Sequence, residues 1–406
     1  MLQIKSNFIS LSIIQLVSYV LPPFVLIYLT STVGIERYGI LAFCQSLVSA
    51  CSIFIEFGYT LSATEKISKY RDKKIFVGKI ISGIFMVKII LYVLCALAII
   101  IYTLLSVKYI GHRSIFFLSL ISLIAQGFFP FWLFQGIEKM KYITLIFALD
   151  KIIYVVMVIL FIKEPSDYFL VPLFSGISGL ISFAFSIWMI YKLGYSLSIP
   201  TAKTTRYCFK FSKPFFASRI GVGVYANSGL LVLGLVASPS ITALYAIAEQ
   251  AYRALQAIVV PLSQTLYPYM VQTRNIALML RIIIMISVIA PFVGLFGYWC
   301  APILFSRFFS SEWLNVIPIV NLFFVAIVIH YIAVILGYPL SAAVNRIDVA
   351  NNSIISGSVV YLFLLSFLLY FHWVTPNNLV KIMILGELFV LGVRAKALLP
   401  LAIKSR

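Results

Sequence analysis

Apolar runs of membrane-spanning length recur along the chain between short polar turns, and twelve stand out: 8–30, 38–61, 80–103, 114–134, 143–162, 169–190, 214–237, 242–270, 281–304, 315–337, 350–372 and 379–399. A helix needs about 20 predominantly apolar residues to cross a bilayer. The last run is the most polar, because Glu387, Arg394 and Lys396 interrupt it. The pattern predicts an all-α polytopic membrane protein of about twelve transmembrane helices. The first run, from Phe8 to Thr30, exceeds the ~7–15-residue core of a cleavable leader, and no small-residue cleavage pattern follows it. It is therefore expected to stay attached as the first span.

Composition strengthens this picture. Of 406 residues, 62% are hydrophobic and only 11% charged, against about 25% charged in soluble domains; the mean hydropathy is +1.07. Lys and Arg concentrate in alternate connections, which fixes an expected orientation. One set holds Lys5, then Lys66, Lys69, Arg71, Lys73, Lys74 and Lys79, then Lys139 and Lys141, then Lys192, Lys203, Arg206, Lys210 and Lys213, then Arg274, Arg281 and Arg346, and finally Arg394, Lys396, Lys404 and Arg406. The opposite set holds only Arg37, Lys108, Arg113, Lys163, Arg307 and Lys381. Both termini are thus expected to be cytoplasmic. The net charge of +19 reflects inner-leaflet segments facing anionic lipids, not nucleic acid.

The connections also exclude chemistry. The longest hydrophilic stretches, 62–79 and 191–213, both fall on the expected cytoplasmic side. No outward loop is long enough for a polymerase or ligase domain, and no DxD metal motif is present. The five cysteines form no CxxC pair, and the three histidines have no metal-ligand spacing. His330 lies within a span, where a proton-handling role is open to it. Helices joined by short turns suit a transporter rather than an enzyme.

A duplication is expected. The basic stretch 191–213 separates six spans on each side, giving an N-terminal six-helix bundle over 1–190 and a C-terminal one over 214–406. YGILAFCQ (38–45) resembles YAIAEQAY (245–252), and the turn QGIEKMK (135–141) resembles AAVNRID (342–348). Pro22, Pro23, Pro261, Pro268 and Pro291 are expected to kink their spans, and Ala217 with Gly221 to allow close packing.

Several segments carry a family resemblance: EFGYTLSATEKISKYR (56–71), FWLFQGIEKMKYI (131–143), FSKPFFASRIGV (211–222) and YAIAEQAYRALQ (245–256). In order and spacing the chain resembles the Wzx-type O-antigen flippases of the polysaccharide exporter (MOP) superfamily. The resemblance implies a MATE-like fold and transfer of undecaprenyl-diphosphate-linked O-antigen repeat units from the cytoplasmic to the periplasmic face of the inner membrane, for lipopolysaccharide biosynthesis. It further implies the O-antigen polymerase machinery as a downstream partner, no cofactor, and coupling to H+ or Na+ as an open option. A cation-coupled multidrug exporter of the same fold is the alternative; an integral-membrane polymerase is a more distant one.

Ionisable residues inside spans are costly and mark function by default. Lys88, Lys151, Arg219 and Arg253 are the candidates to meet a diphosphate, two from each half. Arg offers phosphate a two-pronged grip, whereas Lys acts as a point charge. Glu249, Asp150, Glu56 and Glu387 are the candidates to carry a coupling ion. Competing structural roles are open for all of these. Arg219, Lys88 and Lys151 can snorkel, and Glu249 and Arg253 can pair at i, i+4. Asp150 and Lys151, being adjacent, are expected on different faces and so not to neutralise each other. Glu56 is expected to brace the basic inner loop.

Overall fold

The structure is a computed structural model that describes residues 24–404, with backbone alone at 217–218, 221–222, 224–226 and 404. The described residues form helices and turns, with no strand. In chain order the helices are α1 (Phe24–Val33), α2 (Ile35–Glu56), α3 (Tyr59–Tyr70), α4 (Lys74–Leu105), α5 (Arg113–Phe128), α6 (Phe131–Gly136), α7 (Met140–Phe161) and α8 (Leu170–Lys192). There follow α9 (Ala202–Val236), α10 (Pro239–Thr273), α11 (Ile276–Phe308), α12 (Ile317–Leu336), α13 (Tyr338–Ala343), α14 (Ile347–Tyr370) and α15 (Pro376–Lys404). Among the described residues, eight helical stretches are long and apolar enough to cross a membrane. Each expected span from the second onward overlies a helix. The first expected span lies mostly outside the described residues, as do Pro22 and Pro23, and the side chains of Ala217 and Gly221 are likewise outside them. Helices α10 and α11 run on through Pro261, Pro268 and Pro291.

The chain divides into two compact units, Met1–Gly223 and Val224–Arg406, with the division falling inside α9. The basic stretch expected as a linker is therefore half helix. From Ala202 onward it belongs to α9, and it packs on unit 1 through Cys208 and Ser212, both fully buried. The Ser212 hydroxyl donates to the Phe57 carbonyl at 2.7 Å and lies 2.7 Å from the Ser62 hydroxyl.

Internal repetition is visible at atomic detail. Helix α6 ends at Gly136 and α13 at Ala343, and each leads into a turn with one left-handed residue, Glu138 (φ 59°) and Asn345 (φ 57°). In the first turn the N–H groups of Ile137, Glu138 and Lys139 donate to the carbonyls of Leu133, Gln135 and Phe134. In the second, Val344, Asn345 and Arg346 donate to Leu340, Ala342 and Ser341. Every partner is displaced by 207 positions, the offset that also relates Tyr38 to Tyr245. Packing follows suit: α5 lies against α2, α4 and α8, and α12 against α10, α11 and α15.

Candidate functional site

The charged residues in the spans divide by environment. Lys88 is 1% exposed. Its ammonium donates to the Gly127 carbonyl at 2.7 Å and lies 6.0 Å from the Trp132 ring centroid. Gly127 sits in the last turn of α5, where carbonyls lack an intrahelical partner and the helix dipole attracts a cation. Lys88 thus caps α5 from the neighbouring α4. Arg394 does the same in unit 2. The positive-inside pattern assigned it to the cytoplasmic end, yet it is 6% exposed. Its Nη1 donates to the Ala333 carbonyl in the last turn of α12 at 2.5 Å, and its Nε donates to the Ser353 hydroxyl at 2.9 Å. Sequence reasoning missed this role because the exposed carbonyls appear only once the helix end is placed.

Glu56 closes α2, and its carboxylate accepts from the backbone N–H groups of Gly58, at 2.9 Å, and of Thr60. It therefore satisfies orphan donors at the start of α3, as a capping acid does. The reversal between the helices needs left-handed residues at Phe57 (φ 51°) and Gly58 (φ 77°). At Gly58 a Cβ would also meet the Phe216 backbone nitrogen at 2.9 Å.

The expectation that Asp150 and Lys151 do not neutralise each other is overturned. Lys151 Nζ lies 3.1 Å from Asp150 Oδ2, because the four-carbon stem curls back along α7 even though the two Cβ atoms diverge. The second carboxylate oxygen of Asp150 accepts from the Ser178 hydroxyl at 2.8 Å. Lys151 also lies over the Phe147 ring at 5.3 Å.

Arg219, half-buried on α9, has no carboxylate within ion-pair distance among the described residues. Arg253 on α10 pairs with Glu249, Nη2 to Oε1 at 3.1 Å, and the same nitrogen is 3.4 Å from the Asn227 carbonyl oxygen. The pair is lopsided: the Arg253 side chain is 49% exposed and that of Glu249 13%. The guanidinium is therefore the more exposed partner and the carboxylate the enclosed one.

Glu387 meets His330, Nδ1 to Oε1 at 3.0 Å, with both side chains largely buried. The Gln256 amide nitrogen lies 3.4 Å from the same imidazole, and the Tyr252 ring packs on it edge-on. His330, Glu387 and Arg394 line one cavity of about 220 Å³ in unit 2, together with Ser263, Tyr338 and Ser358. This constellation joins α12 to α15 across 57 positions of sequence, so spacing alone could not reveal it. No group of three or more His, Cys, Asp or Glu suited to a metal occurs among the described residues.

The sequence profile of the family described as "Polysaccharide biosynthesis protein" matches residues 4–274. The chain belongs to this family. A curated member-like relative from Escherichia coli (strain K12), named "Putative O-antigen transporter", is 28% identical over 268 residues, 66% of this chain and 65% of the relative. One of the same name from Shigella dysenteriae is 29% identical over 265 residues, 65% of this chain and 66% of the relative. The chain thus matches just under two thirds of the length of either. Among solved structures, the lipid II flippase MurJ in an inward closed conformation superposes with a TM-score of 0.72 at 14% identity, covering 98% of this chain and 90% of MurJ. An inward-facing multidrug-resistance MATE transporter of the MOP superfamily gives 0.68 at 12% identity, covering 98% of both chains. These likenesses show that the chain has the fold shared by MurJ and the MATE transporters, and its eight long apolar helical stretches among the described residues are those of a multi-pass membrane protein.

Proposed function

We propose that the chain is a flippase that carries undecaprenyl-diphosphate-linked O-antigen repeat units from the cytoplasmic to the periplasmic face of the inner membrane, delivering them to the O-antigen polymerase machinery. The observation that carries this reading is the family match, with curated relatives named for O-antigen transport. The charge pattern supports it. Arg219 and Arg253 are the headgroup-capturing residues in this reading, because each presents a guanidinium that suits bidentate phosphate contact. Lys88, enclosed and spent on a helix end, drops out of that set, and Lys151 contributes only as half of a neutralised pair.

The membrane potential helps in this direction. A diphosphate carries about two negative charges, and moving both outward through 100 mV is favourable by about 4–5 kcal/mol. Coupling to an inward cation adds directionality; in this reading Glu387, which pairs with His330, and Glu249 carry it, whereas Asp150 and Glu56 are engaged in structural contacts.

The test is deletion of the gene followed by lipid extraction and a polysaccharide gel. Loss of surface polysaccharide with accumulation of single lipid-linked repeat units is the expected result. Lipopolysaccharide bearing one unit and no ladder would instead mark a polymerase. Unchanged polysaccharide, in cells without a second flippase, would point to a multidrug exporter.

A further inference from the structure

Unit 1 contains a cavity of about 220 Å³ whose lining is strangely polar for the middle of apolar helices. Four helices contribute: Gln45 and Ser49 from α2, Gln126 from α5, Lys151 and Tyr154 from α7, and Ser175 from α8. The side chains of Gln45, Ser49, Gln126, Tyr154 and Ser175 have no hydrogen-bond partner among the described residues. Gln45 and Gln126 are exposed and Ser49, Tyr154 and Ser175 half-buried, so five amide and hydroxyl side chains that are not spent on the protein border one space and are available to bond a polar occupant. The charge is also informative. Lys151 is neutralised by Asp150 at 3.1 Å, which leaves no surplus of either sign for a phosphate or a bare cation. Amides and hydroxyls both donate and accept, and an aromatic face is at hand in Tyr154. This donor set matches a neutral polyol. The volume, about seven waters at ~30 Å³ each, suits one sugar ring rather than a chain of them.

We propose that this cavity is a sugar-binding subsite, which seats one ring of the lipid-linked oligosaccharide through its hydroxyl groups. The inference rests on the flippase reading and adds to it a place where sugar identity is sensed, separate from the arginines that meet the diphosphate.

The experiment measures binding to the full chain in nanodiscs with three probes: a short-chain polyprenyl diphosphate, the same lipid bearing N-acetylglucosamine, and the bare lipid with free N-acetylglucosamine added. Wild type is expected to bind the sugar-bearing lipid about tenfold more tightly than the bare one, the yield of one or two net hydrogen bonds. Gln126→Ala and Tyr154→Phe should each remove most of that difference and leave affinity for the bare lipid unchanged. Equal wild-type affinity for both lipids overturns the subsite and leaves the cavity a water pocket. Loss of both affinities together in the variants also overturns it, as misfolding or a diphosphate role. Failure of wild type to bind either lipid sinks the flippase reading itself. A gain from free sugar equal to that from attached sugar would place the cavity's ligand outside the lipid and overturn the assignment to it.

Discussion

Replacing Lys88 by Met separates a structural cation from a substrate-binding one. Methionine keeps nearly the volume of the lysine stem in a buried site, so no cavity forms. What disappears is the donor to the Gly127 carbonyl at 2.7 Å and the contact with Trp132 at 6.0 Å. A hydrogen bond to a charged group is worth about 1.5–3 kcal/mol in soluble proteins, but side-chain bonds between membrane helices average about 0.6 and reach about 1.7 kcal/mol. The Trp132 contact, at the edge of cation–π range, adds about 0.5 kcal/mol. Removing a buried charge gives part of this back. The net expectation is a loss of about 1–2 kcal/mol, or roughly 2–8 °C in Tm for a unit of about 200 residues. Thermal unfolding in detergent, read by intrinsic fluorescence, measures the shift, and polyprenyl-diphosphate binding is measured beside it. The reasoning predicts a lower Tm with unchanged binding. An unchanged Tm with lost binding would refute it and return Lys88 to the headgroup site.

Other perturbations should separate along the same lines. Arg253→Ala is expected to weaken polyprenyl-diphosphate binding at least tenfold, with Arg253→Lys recovering part of it because a point charge replaces the planar fork; equal loss in both would argue for packing instead. Glu387→Gln should abolish any dependence of flipping on external pH or sodium seen in wild-type proteoliposomes, and a dependence that survives would assign coupling elsewhere. Glu56→Ala removes the acceptor for two N–H groups at the start of α3 and should cost about 1–2 kcal/mol, seen as faster hydrogen exchange at the first turn of α3. Gly78→Ala would drive a methyl group into the Ser196 carbonyl oxygen, which belongs to the backbone and cannot swing aside, so a marked fall in expression and Tm is expected.

Hydrophobic run length carried most of the architecture, because an apolar stretch in lipid has no option but to satisfy its backbone internally. The turns at Glu138 and Asn345 were legible as similar strings, since each combines a helix stop with a basic residue beyond it. Side-chain partnerships were less accessible. Asp150 and Lys151 were separated by a rule about Cβ directions, which a long flexible stem evades. Arg394 was counted as a cytoplasmic charge because charge rules see position along the chain, not the orphan carbonyl of Ala333 waiting on another helix. The His330–Glu387 contact bridges two distant helices, and only packing brings those together.

The 207-position repeat gives each unit a natural control for the other. Lys151 in α7 corresponds to Ser358 in α14, Asp150 to Gly357, and His330 in α12 to Leu123 in α5. The same helix frame therefore already folds with the charged residues and without them. Transplanting residues between equivalent positions, Lys151→Ser with Asp150→Gly, or His330→Leu, asks what the chemistry contributes while the frame is held constant. The molecule thus carries, in its own other half, the blank experiment for these charged positions.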